Sequence, residues 1–110
     1  MTSELRVLEA ARAVIDDMND IIARSRGQIL YEKQLCEAAG SIAANIREGY
    51  GRRPGAERNL FLRYARGSAE EADEHLRANH AARRIASKCY WRAHNRLAVI
   101  VRMLNRLMSE

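Results

Sequence analysis

The chain has 110 residues and a net charge of +5; apolar residues make up 47% of it, aromatics only 5%, and there is one proline. That length holds one hydrophobic core and is too short for two, so residues 1–110 read as a single domain. The mixture, rich in Ala, Leu, Arg and Glu and poor in β-branched and aromatic residues, favours helices over strands, and no run approaches the roughly 18–20 uninterrupted apolar residues of a membrane span.

The start of the chain, with Ser3, Glu4 and Arg6, lacks the basic stretch and apolar run of a secretory signal, which makes the cytoplasm the expected location. In that compartment Cys36 and Cys89 are expected to be reduced, buried thiols. The charge is unevenly spread. Residues 82–110 carry seven basic groups against Glu110 alone, so the whole basic excess lies in the last quarter of the chain.

In chain order, Ser3 is the expected N-cap of a first helix, over about residues 3–26. Val7, Leu8, Ala11, Val14, Ile15, Met18, Ile21 and Ile22 recur at helical spacing on one arc of it. Arg6, Glu9, Arg12, Asp16, Asp17 and Asp20 take the other side. A second helix, over about 31–49, buries Leu35, Ala39, Ile42, Ala43, Ile46 and Tyr50. Opposite them, Gly40, Ser41, Ala44, Asn45 and Glu48 form a strip of small and polar residues that would admit another helix at close range. Gly49, Gly51, Pro54 and Gly55 end this helix in a basic turn around Arg52 and Arg53.

The third helix, over about 56–79, is expected to turn Leu60, Phe61, Tyr64, Ala65, Ala72 and Leu76 inward. Ser68, Glu71 and His75 share that arc and are candidates for a buried polar cluster. The fourth helix, over about 87–108, directs Tyr90, Leu97, Ile100, Val101, Leu104, Leu107 and Met108 to the core and Lys88, Arg92, Arg96, Arg102 and Arg106 away from it. Val99 and Met103 fall within the basic arc and Trp91 at its edge, where a monomer offers no core; they are the candidate subunit interface. Four amphipathic helices on short connections bury their stripes most simply as an all-α, antiparallel up-down-up-down bundle.

Gln34-Leu35 and the stretch Ser41-Ile42-Ala43-Ala44-Asn45-Ile46-Arg47-Glu48-Gly49-Tyr50-Gly51-Arg52, followed by Glu57, Phe61-Leu62-Arg63, Ala65-Arg66-Gly67-Ser68, Glu71 and Met103-Leu104-Asn105, resemble the bacterial four helix bundle protein family, also called 23S rRNA intervening-sequence proteins. The likeness spans about residues 31–108, and the first helix fits by pattern only. It implies an antiparallel bundle that assembles into a ring-like homopentamer. A more distant similarity is to the accessory variability protein of diversity-generating retroelements, a basic pentamer that works with nucleic acid. Two departures stand out: Arg47 replaces a usually small residue, and Arg83-Arg84 replaces a Gly-aromatic turn before the last helix.

The family-motif residues Ser41, Asn45, Glu48, Gly49, Gly51, Arg52, Ser68 and Glu71 gather a carboxylate, an amide and a guanidinium. They fit a structural network, in which Asn45 and Glu48 satisfy the end of the second helix and Arg52 pairs with a carboxylate, better than a ligand or subunit site, and far better than an active site. A di-iron centre needs two Glu-x-x-His pairs, whereas Glu71 and His75 are four apart and stand alone. His80, His94 and the cysteines have no partner at ligand spacing, so neither metal nor cofactor is expected. No nucleophile elbow or phosphate-binding loop occurs.

Functional reach belongs to the basic residues. Lys88, Arg92, Arg96, Arg102 and Arg106, with Arg52, Arg53, Arg83 and Arg84 at the bundle ends, are candidate phosphate contacts. The expectation is a non-enzymatic homo-oligomer, a pentamer by the resemblance, with RNA or DNA held without sequence preference as its candidate ligand and no membrane or small-molecule partner. The alternative is a structural or protein-binding scaffold whose arginines serve subunit contacts.

Overall fold

The computed structural model describes residues 1–109 and contains four helices: α1 (Ser3–Ser25), α2 (Glu32–Tyr50), α3 (Ala56–Ala81) and α4 (Ser87–Met108). Glu110 lies outside the described residues. Each helix packs against its two neighbours in the cyclic order α1, α2, α3, α4, and among the described residues the backbones of the diagonal pairs stay apart. This is the all-α up-down-up-down bundle. Its long axis of 43 Å is close to the length of its longest helix, about 39 Å at 1.5 Å per residue.

The core runs the length of the bundle. Val7, Val14 and Met18 of α1 meet Leu35, Ile42 and Ile46 of α2, Leu62 and Leu76 of α3, and Leu97, Ile100 and Leu104 of α4. Between α2 and α3 the residues are small: Ala38, Ala39, Ala43 and Gly49 on one helix, Ala65, Ala69 and Ala72 on the other. A Cβ on Gly49 would lie 3.2 Å from both the Arg58 carbonyl oxygen and Phe61 Cβ, so this glycine is set by the close approach of α3. The α2–α3 interface is accordingly the most extensive of the four.

Several expectations are corrected. Thr2, not Ser3, caps α1: its hydroxyl accepts the Leu5 N–H at 3.2 Å, and Ser3 is already helical. Leu62 occupies the core of α3, whereas Leu60 and Tyr64 are exposed and Phe61 is half-buried. The inward arc passes through Leu62, Ala65, Ala69, Ala72 and Leu76, and its alanines carry less apolar signal than the aromatic residues beside it. Ser68, Glu71 and His75 form no buried cluster: Glu71 is exposed, and its carboxylate lies 3.6 Å from the enclosed Nε2 of half-buried His75. Both cysteines are free, but Cys36 is exposed and Cys89 only half-buried. Desolvation pushes the Cys36 thiol above its usual pKa, and Glu32 and Glu37 add to the effect, so it is a poor nucleophile.

The buried polar group is Asn79, fully enclosed near the end of α3. Its Oδ1 accepts the Leu30 N–H at 2.7 Å, while its Nδ2 donates to the Leu30 carbonyl at 2.9 Å and to the His75 carbonyl at 2.8 Å. One side chain thereby replaces a strand partner for the α1–α2 connection. Its own carbonyl accepts the Arg84 N–H at 2.8 Å, and the His80 carbonyl accepts the Arg83 N–H at 3.0 Å. Together these bonds make a Schellman end to α3, which carries the helix to Ala81 rather than Asn79. That motif needs a left-handed residue, and Arg83 occupies the position at φ 58° where glycine would sit without strain.

Two outcomes follow for equilibrium urea denaturation. Asn79→Leu leaves the Leu30 N–H and carbonyl without their partner and should cost about 2–4 kcal/mol; a loss under about 1 kcal/mol would mean the connection does not depend on the amide. Arg83→Gly relieves the left-handed conformation and should stabilise the bundle by about 0.5–1 kcal/mol.

Candidate functional site

The motif residues are not gathered at one point. Along α2, the Ser41 hydroxyl donates to the Glu37 carbonyl at 2.8 Å and the Asn45 amide donates to the Ser41 carbonyl at 2.9 Å. These are bonds back into the preceding turn, so Asn45 does not satisfy the helix end. Glu48 and Arg52 form a surface ion pair at 2.6 Å, with the Arg52 guanidinium also 5.0 Å from the Phe61 ring centroid. Gly51 caps α2, its N–H reaching the Arg47 and Glu48 carbonyls. Ser68 is half-buried and Glu71 exposed, both on α3 beyond this turn.

The side chain that closes the end of α2 is Arg58. It donates from Nε to the Gly49 carbonyl at 3.2 Å and from Nη2 to the Arg52 carbonyl at 3.1 Å, and lies 4.5 Å from the Tyr50 ring centroid. Its place in the first turn of the third helix is the sequence signal for this role: a cation there can reach back to the last carbonyls of the preceding helix.

On α4, Lys88, Arg92, Arg96, Arg102 and Arg106 are all exposed. Only Arg96 is in an ion pair among the described residues: its Nε lies 2.7 Å from Asp17 Oδ2 of α1. The Asp17 side chain is only 12% exposed. Desolvation raises its carboxyl pKa, and the opposing attraction of Arg96, then of Arg92, does not cancel that cost. Asp17 belongs to the polar arc in sequence, and nothing in its spacing announces a partner on another helix. Arg53 lies in the α2–α3 connection and Arg83 and Arg84 in the α3–α4 connection, all exposed; Arg84 donates to Gln28 Oε1 at 2.7 Å.

The apolar residues of the basic arc divide. Val99 is 41% and Trp91 51% exposed, but Met103 is half-buried against the core at the α1–α4 seam, so its burial does not require another subunit. Trp91 instead edges a ring cluster that fastens the start of α4 to α3. His80 stacks on buried Tyr90 with centroids 4.2 Å apart, Tyr90 faces His94 at 5.5 Å, and Trp91 meets Tyr90 edge-on at 5.0 Å. His94 Nδ1 lies 2.7 Å from Asp73 Oδ1, whose other oxygen accepts from Arg77 at 3.0 Å. Among the described residues, no group of three or more His, Cys, Asp and Glu is placed to hold a metal ion, and no helix is long and apolar enough to cross a membrane.

The sequence model of the family described as 23S rRNA-intervening sequence protein matches residues 3–106. Among solved structures, a protein of unknown function from the S23 ribosomal protein family of Bacteroides thetaiotaomicron superposes with a TM-score of 0.89 at 19% identity, covering 99% of this chain and 100% of that one. At that identity the likeness carries the fold. Comparison with curated proteins gives no match.

The Asp17–Arg96 pair has a signed consequence. A carboxyl whose folded pKa is raised favours the folded state most while protonated; its contribution is complete below the unfolded value near 3.8 and is lost as pH rises through the folded value. Asp17→Asn should therefore gain stability relative to the parent as pH is raised from 3 to 7 (~ values spanning the carboxyl range), followed by urea midpoints. A relative loss over that range would mean that pairing outweighs burial.

Proposed function

Given that the chain belongs to the 23S rRNA-intervening sequence protein family, we propose that it is a non-enzymatic cytoplasmic binding protein that holds RNA or DNA by its phosphates, without sequence preference, on the basic face of α4. The observation that carries this reading is the set of exposed cations Lys88, Arg92, Arg102 and Arg106, none of them in an ion pair with a described carboxylate, on a helix that contains no acidic residue. Unpaired guanidinium groups in a row lose little on meeting phosphates and release the counterions condensed there. Arg52 supports the role least, because Glu48 and the Phe61 ring already engage it.

The protein acts, on this proposal, as a homo-oligomer, with a pentameric ring as the assembly that family resemblance implies. Repetition of one weakly binding face around a ring multiplies its hold on a single polymer. A second reading, a scaffold whose arginines serve subunit contacts, is supported by the exposure of Val99 within the same face and of Trp91 at its edge.

Light-scattering mass and fluorescence anisotropy with mixed RNA separate the two. Four phosphate contacts should weaken RNA binding roughly 50-fold between 50 and 200 mM salt, with the protein's own mass unchanged. Replacing Arg92, Arg96, Arg102 and Arg106 together by Glu should abolish binding and leave the assembly intact. A fall to monomers in that variant would assign the arginines to subunit contacts, and salt-independent binding would refute the phosphate reading.

A further inference from the structure

Resting on the phosphate-binding reading, we propose that the ligand is a single strand and that it lies in the seam between α1 and α4, with one unstacked base seated near the N-terminal end of α1. At that end a cleft of about 230 Å³ opens between the helices. Val99, Met103 and Leu107 supply its apolar surface, and Arg6, Arg102 and Arg106 are the cations around it. No described carboxylate pairs with any of the three.

The size and chemistry select the occupant. Pockets that enclose a whole small ligand run to roughly 300–1,000 Å³, so this cleft takes part of a larger molecule. An apolar floor suits the flat face of a base, and the guanidinium groups suit the phosphates on either side of it and can themselves stack on a base. In a duplex the base faces are hidden in the stack, whereas a single strand can turn one out.

The seam continues from this cleft. Val99 also borders the next recess, with Ala10, Asn95 and Arg96. A third recess near the far end of the same two helices is lined by Arg26 and Arg84, and by Arg24 in its pair with Asp20, beside Ile21, Ile85 and Cys89. From Arg6 to the level of Arg24 the track is about 27 Å long, room for at most roughly eight nucleotides at the 3.4 Å spacing of a stacked strand and fewer where bases are turned out, which falls at the short end of the ~4–16 that a single-strand groove covers. Asp17 presents little charge to it, being turned to Arg96 and largely buried, and Asp20 is held by Arg24 at 3.0 Å. Glu9 and Asp16 stand exposed on α1 and keep the strand on the α4 side.

Arg6 provides the decisive test because it lies outside the basic face of α4. Fluorescence anisotropy of the full chain is measured with an oligouridine strand and with a duplex of equal length, on the order of eight nucleotides, and with poly-glutamate as a charge-only probe. Arg6→Gln, at an exposed site, is compared with Arg12→Gln, also exposed on α1 but absent from the cleft lining. The proposal expects the strand to bind about tenfold tighter than the duplex and Arg6→Gln, but not Arg12→Gln, to weaken it about fivefold. Equal binding of strand and duplex, with Arg6→Gln neutral and the four-glutamate α4 variant inactive, would overturn the seam and keep the α4 face. Poly-glutamate binding as tightly as the strand would overturn the base seat. No binding of either nucleic acid would overturn this inference and the function beneath it.

Discussion

A bundle of four helices can keep its core and still slide its members along one another, because apolar contacts have little direction. Here the slide is stopped by the Asn79 amide. Its bonds to both backbone groups of Leu30 fix the height of the α1–α2 connection against α3, and the bond from the Arg84 N–H to the Asn79 carbonyl fixes the α3–α4 connection. The contact between Arg84 and Gln28 then joins the two connections directly. A fully buried amide is tolerated because its oxygen and its nitrogen are both satisfied. Being satisfied only in one register, it specifies that register more sharply than methyl packing does.

With the register fixed, the distribution of side-chain size decides where the surface opens. Alanines and Gly49 line the α2–α3 interface, and the two backbones close on one another until a Cβ on Gly49 would press on Arg58 and Phe61 at 3.2 Å. Across the bundle, α1 and α4 are separated by Met103, Leu107, Val99 and long arginine side chains, and recesses remain between them. The groove therefore arises opposite the tightest interface. It also lies beside the one helix that carries the basic excess, which is why the proposed strand track and the charge coincide.

How much of this was legible depends on what each position signals locally. The four helices and the basic face were plain from spacing and sign alone, since both are properties of single segments. The inward arc of α3 is masked in the sequence because Phe61 and Tyr64 are large and Ala65, Ala69 and Ala72 are not, although the alanines, with Leu62, are what α2 can approach. Phe61 and Tyr64 instead meet edge to face at 5.7 Å toward the surface. Asn79 continues the arc from Ala72 and Leu76 at helical spacing, yet its partner lies in a connection whose path no spacing describes. Arg58, Asp17 and Arg6 share that limitation: each acquires its meaning from a second element.

The isolation of the α4 cations has a cause in the primary structure. Elsewhere, opposite charges sit four residues apart on one helix, as in Asp20–Arg24, Lys33–Glu37, Glu48–Arg52, Arg66–Glu70 and Asp73–Arg77. Such pairs cancel field locally, whatever they add to stability. Between Ser87 and Met108 there is no carboxylate, so a lysine or arginine of α4 can be neutralised only from another element, and of the described acidic residues only Asp17 reaches one, while Asp73 meets His94. The start of the helix is also poorly provided: Ala86 offers no capping side chain and Lys88 stands where the helix dipole favours an anion. The stacked rings of His80 and Tyr90 hold that end in place of a cap. A helix arranged in this way carries an electrostatic cost in the free protein, and a polyanion laid along the α1–α4 seam would relieve it along much of its length.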